Sequence, residues 1–303
     1  MGHKVVGLDD FSIGRRSNLD YAQKSDTFRL IECDITKTEQ LPELSRVDYV
    51  FHLAALADIV PSIENPKRYM EVNVQGTTNI LEYARSLGAS RFIYTASSSC
   101  YGIPSTYPTD EKQKIDTKYP YALSKYLGEL VVFHWSQVYK LPATSLRLFN
   151  VYGPRARTSG TYGAVLGVFL SQKLHGRPLT IVGEGDQTRD FTHVSDVCTA
   201  LLAAAESEHT GIALNIGSGG TYSIKYLARL IGGETIHIPK RPGEPDVTFA
   251  DIQLAKELLN WSPKVTFEDG IKNLLENIDL WSDAPVWTED AIDRATKTWF
   301  KYL

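Results

Sequence analysis

The chain has 303 residues, of which 22% are charged and 43% hydrophobic, and a formal net charge of −4 at pH 7. This length is enough for one large domain, or two unequal ones, around a sizeable core. The slightly acidic balance without a basic tract argues against nucleic acid as a partner. The lack of an apolar run of 18 residues argues against a membrane partner.

The cysteine and histidine residues indicate the redox compartment of the protein and bear on whether it binds a metal. Cys33, Cys100 and Cys198 are few, odd in number and dispersed, which is typical of a reduced, cytoplasmic protein. The seven histidines form no metal-ligand spacing, so no metal site is predicted. His52 and His193 lie within apolar strand patterns and are predicted to be hydrogen-bonded structural histidines.

The first two predicted strands end in carboxylates. Residues 4–8 form a short apolar run followed by Asp9 and Asp10, and residues 28–33 form another followed by Asp34. In a parallel sheet these positions lie at the edge where ligands bind. An aspartate at a strand end is also a common turn or helix cap, which is the structural alternative for each one.

Two more apolar runs follow, with a helix between them. Residues 49–53 open into the small residues Ala54 and Ala55, and residues 91–94 lead into a serine run. Residues 66–86 have the apolar spacing of an amphipathic helix. The succession of strand, helix and strand predicts a parallel sheet with helices on both faces.

A tyrosine and a lysine lie four residues apart shortly after the serine run at 97–99. Tyr121 and Lys125 would share one face of a predicted helix, so the ammonium would lower the pKa of the phenol. A serine hydroxyl from the upstream run would meet the same substrate oxygen. This combination predicts a proton-transfer site beside an alcohol or ketone.

The pattern changes after residue 150. Polar, glycine-rich stretches alternate with helices, which predicts a division into residues 1–150 and a smaller lobe at 151–303, some of whose segments return to the sheet. The helices of this lobe are predicted over 165–174, 194–206 and 267–281.

Eight stretches carry a resemblance to a known family: HLAA (52–55), NVQGTTNIL (73–81), ASSSCYG (96–102), YPYALSK (119–125), LRLFNVYGPR (146–155), GDQTRDFTHVSDV (185–197), LNIGSGGTYS (214–223) and RPGEPDVTFAD (241–251). With these stretches the chain resembles an extended short-chain dehydrogenase/reductase of the nucleotide-sugar epimerase and dehydratase family. They keep the order of the family and cover nearly the whole chain. The resemblance implies a Rossmann-type, doubly wound α/β fold with a smaller α/β substrate lobe.

The same resemblance implies NAD as the cofactor. Asp9, with Asp10 beside it, would bind the hydroxyls of the adenosine ribose, and Asp34 with Ile35 would contact the adenine. The remaining cofactor contacts implied by the family motifs are Leu53, Ala54, Ala55, Asn73, Tyr121 and Lys125.

The substrate implied is a UDP-sugar. Arg189 and Arg241 would neutralise the diphosphate, because a guanidinium fork matches phosphate oxygens, and an isolated surface ion pair is the alternative for each. Asn150 would meet the phosphate or sugar and Asp246 a ribose hydroxyl. Residues 158–163, Ala164 and Val165 would border the sugar and base pockets, and Ser97 and Ser98 would face the sugar.

The catalytic residues implied are Ser97, Tyr121 and Lys125. Tyr121 would remove a proton from a sugar hydroxyl while Ser97 bridges the phenol and the substrate. Sugar 4,6-dehydratases of the family carry Asp and Glu directly after the catalytic hydroxyl residue, and here Ser98 and Ser99 stand there. The sequence therefore favours a UDP-glucose/UDP-galactose type of 4-epimerisation, within carbohydrate metabolism such as cell-surface polysaccharide biosynthesis.

Other functions stay open. A UDP-glucuronate decarboxylase would need an arginine for the carboxylate, for which Arg155 or Arg157 could serve. A sugar 4,6-dehydratase ranks below both. A non-catalytic nucleotide-sugar-binding homologue that has lost its cofactor is the alternative from another class. Which UDP-sugar fits depends on pocket shape rather than on a motif.

One departure from the family concerns the cofactor. No glycine-rich G-x-x-G-x-x-G turn precedes Asp9, so either Met1 is a false start within a longer natural protein or the chain has lost its hold on the dinucleotide. Without the first strand, neighbouring strands would lack ladder partners. The family also implies a homodimer through 66–86 and 119–139. The aromatic tail at 283–303 is expected to pack on the body.

Overall fold

The computed structural model describes residues 2–156, 164–240 and 244–302. Strands and helices are interspersed along the chain. The strands are β1 (Val5–Asp9), β2 (Phe28–Glu32), β3 (Tyr49–His52), β4 (Arg91–Ser97), β5 (Ala143–Leu148), β6 (Val151–Tyr152), β7 (Leu179–Val182), β8 (Thr188–Arg189), β9 (Thr192–His193), β10 (Ile212–Ile216), β11 (Tyr222–Ser223) and β12 (Thr235–Ile238). The helices are α1 (Ile59–Glu64), α2 (Pro66–Met70), α3 (Thr77–Ser86), α4 (Pro120–Tyr139), α5 (Val165–Leu174), α6 (Val194–Glu206), α7 (Ile224–Ile231), α8 (Gln253–Leu259), α9 (Phe267–Glu276) and α10 (Glu289–Tyr302).

The central sheet is parallel, which confirms the predicted fold class. Its strand order is β10-β5-β4-β3, and every pair in it is parallel. β4 and β5 are buried along almost their full length, as expected for strands covered by helices on both faces. The predicted strand at 91–94 is longer than expected and ends at Ser97, so the sheet itself carries the first serine of the run.

β1 and β2 form a separate parallel pair. Within the described residues, β1 pairs with β2 alone and β3 pairs with β4 alone. Apolar side chains beside these two free edges are exposed: Val5 (48%), Val6 (39%), Tyr49 (40%) and Leu53 (56%). The prediction that neighbouring strands lack ladder partners is therefore confirmed.

The segment between β3 and β4 differs from the single helix predicted over 66–86. It is made of α2, a wider π-helical turn at Glu71–Gly76, and α3. Gly76 packs closely on the end of the Ile35 side chain, because a β-carbon there would lie 2.7 Å from Cδ1 of Ile35. The side chain that follows β2 is thereby packed against the helix.

The second half of the chain contributes both to the sheet and to a core of its own. β10 pairs with β5, while β7 and β12 form a separate parallel pair within a cluster that includes Phe169, Leu179, Leu227 and Ile271. The helices predicted at 165–174 and 194–206 have the predicted bounds. The one predicted at 267–281 ends at Glu276 and is followed by a 3₁₀ turn at Ile278–Trp281.

The two structural histidines are buried. His52 Nε2 lies 2.9 Å from Thr77 Oγ1, and burial lowers the pKa of His52 to about 3. His193 Nδ1 lies 2.8 Å from Ser195 Oγ at the start of α6. In the ranges given above, no helix is both long and apolar enough to cross a membrane.

Candidate active site

α4 carries the predicted tyrosine and lysine. Tyr119 is extended and Pro120 occupies the first helical turn, where its fixed φ suits a helix start. Tyr121 and Lys125 follow at a spacing of four, and Glu129 continues the same face one turn later. The helix ends at Tyr139, after which Lys140 adopts a left-handed conformation.

The carboxyl end of β4 brings a serine to the tyrosine. Ser97 is the last strand residue, and its hydroxyl shares a hydrogen bond with the Tyr121 phenol. The Ser97 oxygen also accepts hydrogen bonds from Ser99 N (3.2 Å) and Ser99 Oγ (2.8 Å). Ser99 therefore orients Ser97, and the three predicted catalytic residues lie together.

The protonation of the pair differs from the sequence-based prediction. Burial raises the pKa of Tyr121, and the hydrogen bond with Ser97 opposes that rise only in part. Burial lowers the pKa of Lys125 to about 7, against the opposing effect of the Glu129 carboxylate. The expectation that Lys125 lowers the phenol pKa below its ordinary value is therefore wrong, because burial is the largest influence on the Tyr121 pKa and Lys125 is not among the groups that shift it.

A buried tyrosine of β4 supports the helix from below. Lys125 Nζ lies 4.4 Å from the centre of the Tyr94 ring, and Tyr94 donates a hydrogen bond to the Lys125 carbonyl oxygen at 3.0 Å. Between these residues and the π turn, Gly128 allows close approach: a β-carbon there would lie 2.9 Å from Asn73 O and would also clash with the Tyr94 hydroxyl. α4 can therefore approach the sheet this closely only with glycine at that position.

Asn73, predicted to contact the cofactor, is buried and fully engaged with the protein. Its Nδ2 donates to Leu56 O and to Ser124 Oγ, both at 2.9 Å, and its Oδ1 accepts from Leu56 N at 2.7 Å. Asn73 thus holds the loop after β3 against α4. A direct contact with the cofactor stays a prediction.

The structure contains a buried ion pair that was not predicted from the sequence. The Arg147 guanidinium of β5 donates to both carboxylate oxygens of Glu129, with the shortest N–O distance at 2.6 Å, and both side chains are less than 10% exposed. Arg147 Nη1 also donates to Tyr101 Oη at 2.9 Å, and Tyr101 donates to Asn215 Oδ1 at 2.7 Å. One arginine therefore ties α4 to the turn that follows Ser97. The position of Glu129, four residues after Lys125 on the same helix, was the sequence signal that a further buried group lies on this face.

A cavity of about 640 Å³ opens above these residues. It joins the carboxyl ends of β3 and β4 to the second half of the chain, so its position agrees with the ligand edge of a parallel sheet. Ten of the residues predicted from the sequence line it: Leu53, Ala55, Ser97, Ser98, Tyr121, Lys125, Asn150, Ala164, Val165 and Arg189.

The far end of the cavity carries the predicted nucleotide ligands. Arg189 is mostly buried and lies 3.7 Å from the Glu244 carboxylate. Asn150 accepts a hydrogen bond from Thr248 Oγ1 at 2.8 Å. Asp246 lines a small adjoining pocket with Arg189, and its carboxylate is paired with Lys240. Arg241 and Arg157, together with 158–163, lie outside the described residues.

Arg155, one candidate for a carboxylate-binding arginine, faces elsewhere. Its Nη1 donates to Asn18 O at 3.1 Å, and its own carbonyl oxygen accepts from Asn18 Nδ2 at 3.1 Å. It is not among the described residues of the cavity wall. This geometry argues against Arg155 as a ligand of the sugar.

The carboxylates after β1 and β2 lie outside that wall. Asp9 Oδ1 accepts from Phe11 N at 2.8 Å, and a β-carbon on Gly14 would lie 3.0 Å from Asp9 Oδ2. Asp10 accepts from Ser12, and Asp34 accepts from the backbone and hydroxyl of Thr36. Ala54 and Ile35 also lie away from the described wall.

These residues allow a test of the fit to a dinucleotide. Ser97, Tyr121 and Lys125 supply the donors suited to a reacting ring and an alcohol. The Asp9 carboxylate, with a glycine packed against it, suits a ribose diol. A glycine-rich turn for the pyrophosphate is not among the described residues. The residues present therefore fit the adenosine ribose at one end of the cofactor and the reacting ring at the other.

Several aromatic or acidic residues of the wall were not predicted from the sequence as site residues. Tyr119 stacks on Tyr121 with ring centres 6.4 Å apart. Asp58 and Trp299 also line the cavity. Tyr119 lies inside the YPYALSK stretch, so a signal existed, whereas Trp299 reaches the cavity only through tertiary packing of the tail.

The fold and the site together define a class: a Rossmann-type α/β protein with a serine, a tyrosine and a lysine at the carboxyl edge of a parallel sheet. Residues 1–217 match the model of the NAD dependent epimerase/dehydratase family. The chain belongs to this family, whose members include epimerases and related decarboxylases and dehydratases.

Individual relatives span several reactions. The chain is 35% identical to a UDP-glucose 4-epimerase of Mycolicibacterium smegmatis, over 91% of this chain and 90% of that protein. It is 32% identical to UDP-glucuronic acid decarboxylase 1 of Arabidopsis thaliana, over 91% of this chain and 64% of that protein. It is also similar to the crystal structure of a UDP-glucuronic acid 4-epimerase from Bacillus cereus in complex with UDP-glucuronic acid and NAD, with a TM-score of 0.83, 30% identity and 91% coverage of both chains.

Proposed function

We propose that this protein is a UDP-sugar 4-epimerase that uses NAD. The observation that carries the proposal is the meeting of Ser97, Tyr121 and Lys125 at one end of the cavity, with Ser98 and Ser99 where a dehydratase would carry an acid and a base. The similarity to a UDP-glucose 4-epimerase over most of the chain supports it. The NAD-bound epimerase from Bacillus cereus supports the choice of cofactor.

In this proposal Asp9 would hold the adenosine ribose, and Ser97, Tyr121 and Lys125 would border the nicotinamide. When bound, NAD accepts a hydride from carbon 4 of the sugar and returns it to the opposite face. Asp34, Ile35, Leu53, Ala54 and Ala55 remain proposed cofactor contacts.

Tyr121 is the proposed base. Its phenolate takes the proton of the 4-hydroxyl as the 4-keto sugar forms, and the resulting phenol gives the proton back when the hydride returns. Ser97 holds the sugar oxygen and the phenol in one hydrogen-bonded chain, which Ser99 orients. Because burial raises the pKa of Tyr121, the phenolate needs nearby positive charge, which the ammonium form of Lys125 together with the positive nicotinamide ring of bound NAD would supply.

Arg189 is the proposed partner of the diphosphate, with Asn150 and Val165 bordering the same substrate. The guanidinium is already close to Glu244, so a bound diphosphate would compete with that carboxylate for it. Arg241 and Asp246 remain proposed ligands of the diphosphate and the ribose.

Product analysis tests the reaction. The purified chain is incubated with UDP-glucose, UDP-N-acetylglucosamine and UDP-glucuronate, and the sugars are separated by anion-exchange chromatography. Formation of the 4-epimers is expected, and Tyr121→Phe should lower the rate by about 10²–10⁴-fold. UDP-xylose with CO₂ would instead indicate the decarboxylase, and a 4-keto-6-deoxy sugar the dehydratase.

Cofactor content tests the remaining alternative. The protein is denatured and the released NAD is measured per mole of chain. A folded protein that binds UDP-sugars, holds no NAD with or without added NAD, and converts none of the three substrates would be the non-catalytic homologue instead.

We also propose a homodimer through α4 and its neighbour α3. Four apolar side chains of α4 are exposed, namely Leu123, Leu130, Val138 and Tyr139. An exposed apolar face of this kind is typical of an interface between copies. Analytical ultracentrifugation of the wild type and of Leu130→Glu tests this: the variant is expected to be monomeric, and an unchanged mass would contradict the proposal.

A further inference from the structure

The C-terminal tail forms a helix that packs on the body. α10 buries one face, formed by Ile292, Thr296 and Trp299 at spacings of four and three. Phe300, the next residue along the helix, is 48% exposed. Thr298 Oγ1 donates to Glu64 Oε1 at 3.1 Å, so α10 lies along α1. Trp299 therefore lies on the face of α10 that is buried against the body.

Trp299 forms part of the cavity wall although it is only 5% exposed. Beside it in the wall are Ile59 and Val60 at the start of α1. This part of the wall is therefore apolar and broad, in contrast to the end that carries Arg189 and Glu244.

The wall at α1 adjoins the reacting end of the cavity. The Tyr69 hydroxyl donates to the carbonyl oxygen of Ala57, and the Tyr69 ring meets the Tyr121 ring edge-on with centroids 6.5 Å apart. Asp58 follows, and its carboxylate is close enough to the phenol to add to the rise of the Tyr121 pKa. Since α1 begins directly after this segment and α10 packs on α1, the part of the wall that includes Trp299 is connected through α1 to the reacting end of the cavity.

We propose that Trp299 is a specificity-determining residue that bounds the sugar subsite and limits the size of the hexose substituent that fits there. The inference rests on the proposed function and adds to it the residue that sets the substrate range. An indole is large, rigid and apolar, so it can cover the C–H face of a pyranose and leaves no room for a larger group on that side. Selectivity by shape of this kind leaves no motif in the sequence.

The test uses two variants and a matched control. Trp299→Ala removes the indole and Trp299→Phe keeps an aromatic face, while Phe300→Ala removes a neighbouring, exposed aromatic side chain of the same helix. Affinities for UDP, UDP-glucose and UDP-N-acetylglucosamine are measured by calorimetry, and kcat/KM is measured for both sugars. Circular dichroism and thermal melting show whether each variant folds.

Trp299→Ala should leave UDP affinity within about twofold and raise the preference for UDP-N-acetylglucosamine over UDP-glucose by about tenfold, because truncation adds room only where the larger sugar needs it. Trp299→Phe should show the same change to a smaller degree, and Phe300→Ala none. If Trp299→Ala does not fold, the preference of Trp299→Phe for UDP-N-acetylglucosamine over UDP-glucose decides alone.

Two results would overturn the inference. An unchanged ratio of the two sugars in folded variants would mean that the indole does not meet the sugar. A loss of bound NAD with unchanged sugar affinities would mean that Trp299 faces the cofactor. If the wild type binds no UDP-sugar at all, the proposed function fails instead, so the two failures are distinguishable.

Discussion

Replacing Lys125 with methionine should change how the stability of the protein depends on pH. The folded pKa of Lys125 is about 7 and its ordinary value is 10.5, because burial disfavours the ammonium. Between these values the unfolded chain binds a proton that the folded chain does not, so this lysine makes the stability of the folded state rise with pH. The full difference corresponds to about 5 kcal/mol at about 1.4 kcal/mol per pH unit.

The measurement compares free energies of unfolding in guanidinium at pH 7.5, 8.5 and 9.5. The free energy of unfolding of the wild type, relative to that of Lys125→Met, should rise by about 1.4 kcal/mol for each pH unit, or about 3 kcal/mol across the range. Lys114→Met, which removes an exposed lysine, serves as the control for loss of a positive charge. A wild-type advantage that is constant with pH, or that shrinks as pH rises, would refute the argument that burial dominates at Lys125.

Three further substitutions test the supports of the site. Glu129→Gln should destabilise the protein by about 3–5 kcal/mol in a denaturant titration, because it leaves the buried Arg147 charge without its partner, and Glu129→Leu combined with Arg147→Met should recover much of the loss. Gly128→Ala should cost about 1–3 kcal/mol, since the new methyl meets backbone and a tyrosine hydroxyl; an unchanged melting temperature would contradict the packing described. Ser99→Ala should lower kcat by less than Ser97→Ala does, because Ser99 only orients Ser97; equal losses would give Ser99 a direct role.

The elements of the sheet were predictable because they are continuous apolar runs. The strand at 91–94 was found in this way, whereas the helix at 119–139 was implied by the resemblance to the family, and these two elements bring Ser97 and Tyr121 together. The helix predicted over 66–86 was right in position but missed the π turn. That turn depends on the fit of Gly76 against Ile35, a contact between residues distant in sequence.

Other parts of the site depend on burial and tertiary packing, which a single sequence does not encode locally. The predicted direction of the Tyr121 pKa shift was wrong, because the free-energy cost of desolvating a phenolate cannot be read from a spacing of four residues. Arg155 was a candidate ligand by position, yet it bonds to Asn18. The tail was expected to pack on the body, and it does, but nothing in its composition predicted that Trp299 would reach the cavity.

The π turn at Glu71–Gly76 has a consequence for how this region tolerates change in length. A π turn holds about one residue more than an α-helical turn, because its hydrogen bonds join residues five rather than four apart, so removing one residue would tighten it to α-helical spacing and shift α2 relative to α3. Asn73 would then leave both Leu56 and Ser124, and the loop after β3 would lose its tether to α4. The exposed Glu71 and Gln75 can be exchanged for other residues, but deleting either of them would move Asn73 away from its hydrogen-bond partners.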